Sequence, residues 1–166
     1  MIPRGWLGPL VLTAGACSFL ACGCRQPARA TSVQPAPGKV EVVEEYWPNG
    51  KLRVRREALR QPDGTLVDHG TYTCWFDHGG KEYEAVFLHG QVNGVATRWH
   101  RNGVKASEQY YANGKRDGPR YSWDENGVMR KEEHFVGDLP DGTWITWDDK
   151  GKIKAQQKFE RGVPKS

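Results

Sequence analysis

The sequence predicts an all-β fold: an elongated, single-layer antiparallel β-meander of stacked 24-residue hairpin units, with about ten strands. Three observations predict it. Trp75, Trp99, Trp123 and Trp147 recur every 24 residues, and Phe87, Tyr111, Phe135 and Phe159 keep the same interval. Gly79, Gly103, Gly127 and Gly151 each follow a Trp by four, while Gly94, Gly118 and Gly142 form a further series of that period. No segment carries an apolar stripe of 3.6-residue period over a helix length.

The elements divide into three stretches. Residues 1–24 have the anatomy of an export signal. Arg4 is their only charge, and an apolar run ends in small residues around Cys17, Cys22 and Cys24. Pro9 interrupts that run, which makes it marginal as a bilayer span. Phe19-Leu20-Ala21-Cys22 resembles a bacterial lipobox, whose Cys becomes a lipid-modified N-terminus. Cys22 is the expected lipidation site, with Cys24 and Cys17 as alternatives. Residues 25–40 are Pro-, Ala- and polar-rich without periodicity, as expected of a linker. Residues 41–166 form the repeat domain of about five units.

Within a unit, Trp is followed by an Asn-Gly turn, a strand, a second aromatic, a second turn and a return strand. Asn49-Gly50, Asn102-Gly103 and Asn126-Gly127 are strong hairpin signals, because Asn and Gly tolerate positive φ. His78-Gly79 and Asp149-Lys150-Gly151 stand at the same place. Asn113-Gly114 marks the second turn, and Gly118 is expected to close it. Val95, Thr97 and Trp99 alternate on one face, as do Thr143, Ile145 and Trp147. An earlier copy starts at Tyr46, with Ala58 replacing the second aromatic and an insertion around Leu59–Gly64, whose turn is Pro62-Asp63-Gly64. The Trp and Phe/Tyr series are expected to form ladders along one face.

Charge excludes one class of partner. The stretch from residue 41 to 166 holds 20 of the 24 Lys and Arg residues and all 20 acidic residues, so it is neutral. A nucleic-acid binder needs a basic face, and none is expected here. Cys74 is alone in the body, which rules out a disulfide framework or a CxxC-type metal site within it. His69, His78, His89, His100 and His134 fall at five different unit positions, so no metal cluster is expected. Glu84, Glu108 and Glu132 share a register with Gln156, but at about 9–10 Å apart they are too distant to share one ion. They are expected to pair with Lys or Arg. Ser107, Ser122 and Ser166 lack a nucleophile-elbow context. No enzyme activity and no cofactor are expected.

The unit Trp99-x-x-Asn102-Gly103 through Tyr111-x-Asn113-Gly114 to Gly118 resembles the MORN repeat in its bacterial variant form, over residues 44–163. The resemblance implies stacked hairpins in an extended sheet and a binding or scaffolding role, with no catalytic residues. Its departures are Gly79-Gly80 in place of Asn-Gly, a second turn shifted at Gly137-Asp138, and Ala58. Some bacterial members carry an antitoxin label, which implies a regulatory partner protein as the alternative. Together the leader, the linker and the repeat predict an exported, membrane-anchored protein of the cell envelope. Its expected partners are another protein and the membrane, through an N-terminal lipid. Open sheet edges allow an edge-to-edge homo-oligomer.

Overall fold

The computed structural model describes residues 38–166. The export signal, most of the linker and the candidate cysteines Cys17, Cys22 and Cys24 lie outside the described residues. The strands are β1 (Val40–Tyr46), β2 (Leu52–Arg60), β3 (Leu66–Trp75), β4 (Lys81–Leu88), β5 (Gln91–Val92), β6 (Gly94–Trp99), β7 (Lys105–Ala112), β8 (Lys115–Trp123), β9 (Met129–Val136), β10 (Leu139–Pro140), β11 (Gly142–Trp147), β12 (Ile153–Glu160) and β13 (Val163–Lys165). All lie in one antiparallel sheet, ordered β1-β2-β3-β4-β6-β7-β8-β9-β11-β12-β13, with β5 on β4 and β10 on β9. That path is the expected meander.

Thirteen strands appear in place of about ten because two return strands are broken and β1 precedes the first unit. β5 and β6 are halves of one strand, as are β10 and β11, and β8 is the same strand unbroken. The break is a β-bulge, at which the Asn93 amide donates to Val86 O and the Asp141 amide to His134 O, at 2.8 and 2.9 Å. In β8 the irregularity lies opposite Tyr110, between Gln109 and Tyr111. Gly118 thus sits at a bulge instead of closing the second turn. Its φ is +117°, and a Cβ there would stand 3.0 Å from the Tyr110 Cβ. Only glycine combines that backbone angle with so close an approach.

The second turns are two-residue hairpins with both residues at positive φ: His89-Gly90, Asn113-Gly114, Gly137-Asp138 and Arg161-Gly162. That is the I′ geometry whose twist matches the flanking strands. The expected shift at Gly137-Asp138 does not occur. The turn keeps its place, since Asp138 tolerates left-handed φ (74°) nearly as Asn does.

The first turns tie units together. In each, the glycine amide bonds back three residues, as from Gly50 to Trp47 O and from Gly103 to His100 O. The Asn102 Oδ1 accepts the Val104 amide at 3.0 Å, and its Nδ2 donates to Glu125 O in the next unit's turn at 2.7 Å. Asn49 repeats this, with the Lys51 amide and Asp77 O as its partners. The side chains of Trp47 and His100 each bond the carbonyl of a Trp that ends the next unit's strand, Trp75 and Trp123. Neighbouring units therefore support each other through turn backbone as well as strand ladders.

Cross-strand pairing corrects the expectation that both ring series share one face. Thr97 and Trp99 lie two apart on β6, and Thr97 pairs with Glu84 and Glu108. The Lys81 ammonium reaches Glu84 at 2.6 Å while standing 5.5 Å over the Trp99 ring, which puts Trp99 on the glutamate face. Phe87, Tyr111, Phe135 and Phe159 occupy the opposite face, near the other end of the strands. Each pairs with a positive-φ glycine: Gly70, Gly94, Gly118 and Gly142. At Gly94, Gly118 and Gly142 a Cβ would meet no ring of this series within 4 Å, so positive φ, not clearance for the ring, calls for glycine there. In the first unit both members are exchanged together, as Glu41 faces Ala58.

The core is thin. Among the described residues, Val54, Ala58, Ala85, Ala96 and Phe135 are the buried apolar ones, and all five belong to the face of the Phe/Tyr series. Of the eight repeating rings only Phe135 is buried, so the tryptophans cover the sheet without forming its centre.

Candidate binding face

The glutamate face is organised in rows. One row crosses eight strands as Thr73, Glu84, Thr97, Glu108, Tyr121, Glu132, Ile145 and Gln156. Glu84 pairs with Lys81 and Glu108 with Lys105, three residues earlier, while Glu132 meets the His134 ring at 3.0 Å. A strand without an anionic partner separates each glutamate from the next. The same lysines lie over Trp99 and Trp123, at 5.5 and 5.6 Å. This row is a set of solvated pairs, each worth no more than about 1 kcal/mol.

The opposite face carries the more distinctive feature. Tyr83, Ala96, Arg98, Ser107, Gln109, Tyr111, Arg116 and Arg120 line an open hollow of ≈ 290 Å³. The strands dictate this arrangement. Arg98 pairs across β6 and β7 with Ser107, Gln109 pairs with Arg120, and Tyr111 with Arg116. The Arg98 guanidinium lies 4.6 Å over the Tyr83 ring. Arg120 bonds Glu133 at 3.2 Å. Arg116 bonds the Asp138 carboxylate at 3.1 Å and lies 4.2 Å over the Phe135 ring. Arg98 has no carboxylate partner among the described residues.

Sequence reasoning missed this hollow, although a signal was present. In the preceding unit the positions equivalent to Gln109 and Arg120 are Ala85 and Ala96, both buried. Small apolar residues give way to Gln and Arg in this unit, and to Glu133 and Trp144 in the next. Gly70 was missed as well, yet it stands five residues before Trp75, as Gly94 does before Trp99. The five histidines form no metal cluster among the described residues. His69 and His89 do meet, with ring centroids 4.8 Å apart. Cys74 lies beside Tyr72, where burial pushes the thiol up and, with the thiol's help, the Tyr72 phenol up to about 12. A thiol shifted that way is a poor nucleophile.

Four carboxylates at turns, and Glu41 on β1, are held below their usual range. The Val128 amide, then Arg130, acts on Asp124. The Arg116 amide and side chain act on Asp138. Thr65 acts on Asp63, Arg101 on Asp77 and Arg60 on Glu41. Each binds a proton more readily in the unfolded chain, whose carboxylates titrate at about 3.9–4.3. Their contribution is therefore complete above that value and drains away as pH falls through the lowered folded values. The melting midpoint should stay level from about pH 7 to 5 and fall below about pH 4. A midpoint unchanged at acid pH would show that these carboxylates contribute nothing.

The family model for the MORN repeat variant matches residues 42–57, 92–113, 116–136 and 140–161. Comparison with curated proteins returns no match. The unmatched stretch 58–91 folds as the same hairpin, with Gly70 opposite Phe87 and a positive-φ turn at His89-Gly90. A 24-residue period, paired turns and four matched segments agree: the chain belongs to the MORN repeat variant family.

Proposed function

We propose that this protein is a membrane-tethered, non-catalytic scaffold of the cell envelope whose repeat sheet binds another protein. The observation that carries the reading is the cluster of three arginines and a buried Gln around one hollow of the sheet. Where the preceding unit has buried Ala85 and Ala96, this one has Gln109 and Arg120, and Arg98 and Arg116 complete the rim of an open hollow. Local rules are broken where function requires it. Family membership supports binding over chemistry, since MORN repeats are interaction modules. Tethering is supported by the signal-like run before Cys22 and the Pro/Ala-rich stretch after it.

Intact mass of the protein purified from the membrane fraction tests the tether. A diacyl or triacyl adduct on an N-terminus starting at Cys22, Cys24 or Cys17 is expected. A soluble, unmodified chain beginning at Met1 overturns it.

A further inference from the structure

We propose that the arginine-lined hollow between β4 and β8 docks an acidic segment of a partner protein, with a Glu or Asp carboxylate on Arg98 and a main-chain N–H on Gln109. The inference rests on the protein-binding reading above and names the chemistry of that partner.

Three observations lead there. The first is charge. The hollow holds Arg98, Arg116 and Arg120, and two of these are answered by Asp138 and Glu133. Arg98 is answered only by the Tyr83 ring, and it is exposed. A ring supports the guanidinium plane and leaves its N–H edge free. That edge matches a carboxylate in two-point geometry.

The second is an orphaned acceptor. Gln109 is 6% exposed, and its Nε2 donates to Tyr110 O at 3.0 Å. Its Oε1 is buried without a donor. Leaving such a group unpaired costs about 1–3 kcal/mol, so its retention calls for a reason. Gln109 lines the hollow, and a rotation of its amide would be needed to offer that oxygen to a docked segment. A simple anion would satisfy Arg98 and leave Oε1 without a donor. A peptide segment offers an acceptor for Arg98 and an N–H for Gln109 together.

The third is size. At ≈ 290 Å³ the hollow falls just below the usual range of small-molecule sites, about 300–1,000 Å³. It suits one side chain with its flanking backbone. Tyr83 and Tyr111 supply aromatic walls for the methylenes of a Glu.

The test is calorimetric titration of the full chain with a capped peptide of alternating Glu and Gly. The matched Gln-Gly peptide, inorganic phosphate and vesicles containing anionic lipid serve as comparisons. The Glu peptide is expected to bind, and the Gln peptide at least about tenfold more weakly, the effect of one charge-assisted pair. Arg98→Gln should lose a similar factor, and Arg98→Lys should recover part of it. Gln109→Met changes no charge and keeps the volume, and it should weaken binding about fivefold, the loss of one hydrogen bond. Lys105→Gln, on the opposite face, should leave binding unchanged. Melting curves confirm that each variant is folded.

Equal loss with Lys105→Gln would mean diffuse attraction and overturn the inference. So would phosphate binding as tightly as the peptide, or Arg98-dependent binding of vesicles without peptide binding. If a partner cross-linked to the wild type is also cross-linked to Arg98→Gln, the acidic-segment inference alone fails and the scaffold reading stands.

Discussion

Replacing Phe135 by Ala is expected to destabilise the sheet by about 3–5 kcal/mol, the usual cost of removing a buried ring. The site explains why so thin a fold would feel this loss fully. Phe135 is 3% exposed and is the one buried ring of its series. It packs at 5.2 Å from the Trp144 ring, which itself stands 4.7 Å from Phe159. On its other side lies the Arg116 guanidinium at 4.2 Å. The substitution thus opens a gap between two units and removes the platform on which Arg116 rests. A single-layer sheet has no second layer to collapse into the space. Phe159, near the last strands, packs against Trp144 and is only partly buried, so Phe159→Ala should cost about half as much. Denaturant midpoints of the two variants check this. Equal and small losses would mean that the ring series contributes little and the turns hold the sheet. Because units can melt separately, hydrogen exchange of the β8–β11 amides gives the local reading.

What could be read from the sequence divides along a physical line. Features set by the repeat were legible. The turns at Asn49-Gly50, Asn102-Gly103 and Asn126-Gly127 lie where the period puts them, and so do the strands between. Features that depend on parity through a turn were not. Trp99 and Tyr111 are twelve residues apart, an even number, and appear to share a face. A turn with an extra residue opposite Arg98 and Trp99 intervenes and sends Tyr111 to the other side. A period alone is blind to that residue. The hollow escaped for a different reason. Arg98 and Arg120 are individual to one unit, and a search for shared residues averages such positions away. The hollow becomes visible only when unlike residues at like positions are compared, Gln109 with Ala85 and Arg120 with Ala96. The contact of His69 with His89 had no signal, since it joins the lengthened β3 to a turn of the next unit.

Gly118→Ala should cost about 3 kcal/mol, from positive-φ strain and crowding together. At φ +117° the new methyl would stand 3.0 Å from the Tyr110 Cβ, which the β7 backbone holds in place. Gly151→Ala supplies the comparison. Its φ is +74° with nothing within 4 Å, so only the conformational term remains, about 1 kcal/mol. The difference between the two measures the bulge. Gly118 also faces Phe135 directly across β8 and β9. If the glycine were there to let the ring lie on bare backbone, the two substitutions could not be independent. A methyl at residue 118, however, would meet Tyr110 alone within 4 Å and no atom of the Phe135 ring, so it would leave the ring in place. The double variant should therefore come close to the sum of the two single losses. Strict additivity would mean that the glycine serves the bulge alone and that the shared period of the two series reflects two separate requirements of the hairpin. A shortfall would show that the period records one requirement, a ring over a glycine, repeated in every unit that keeps both.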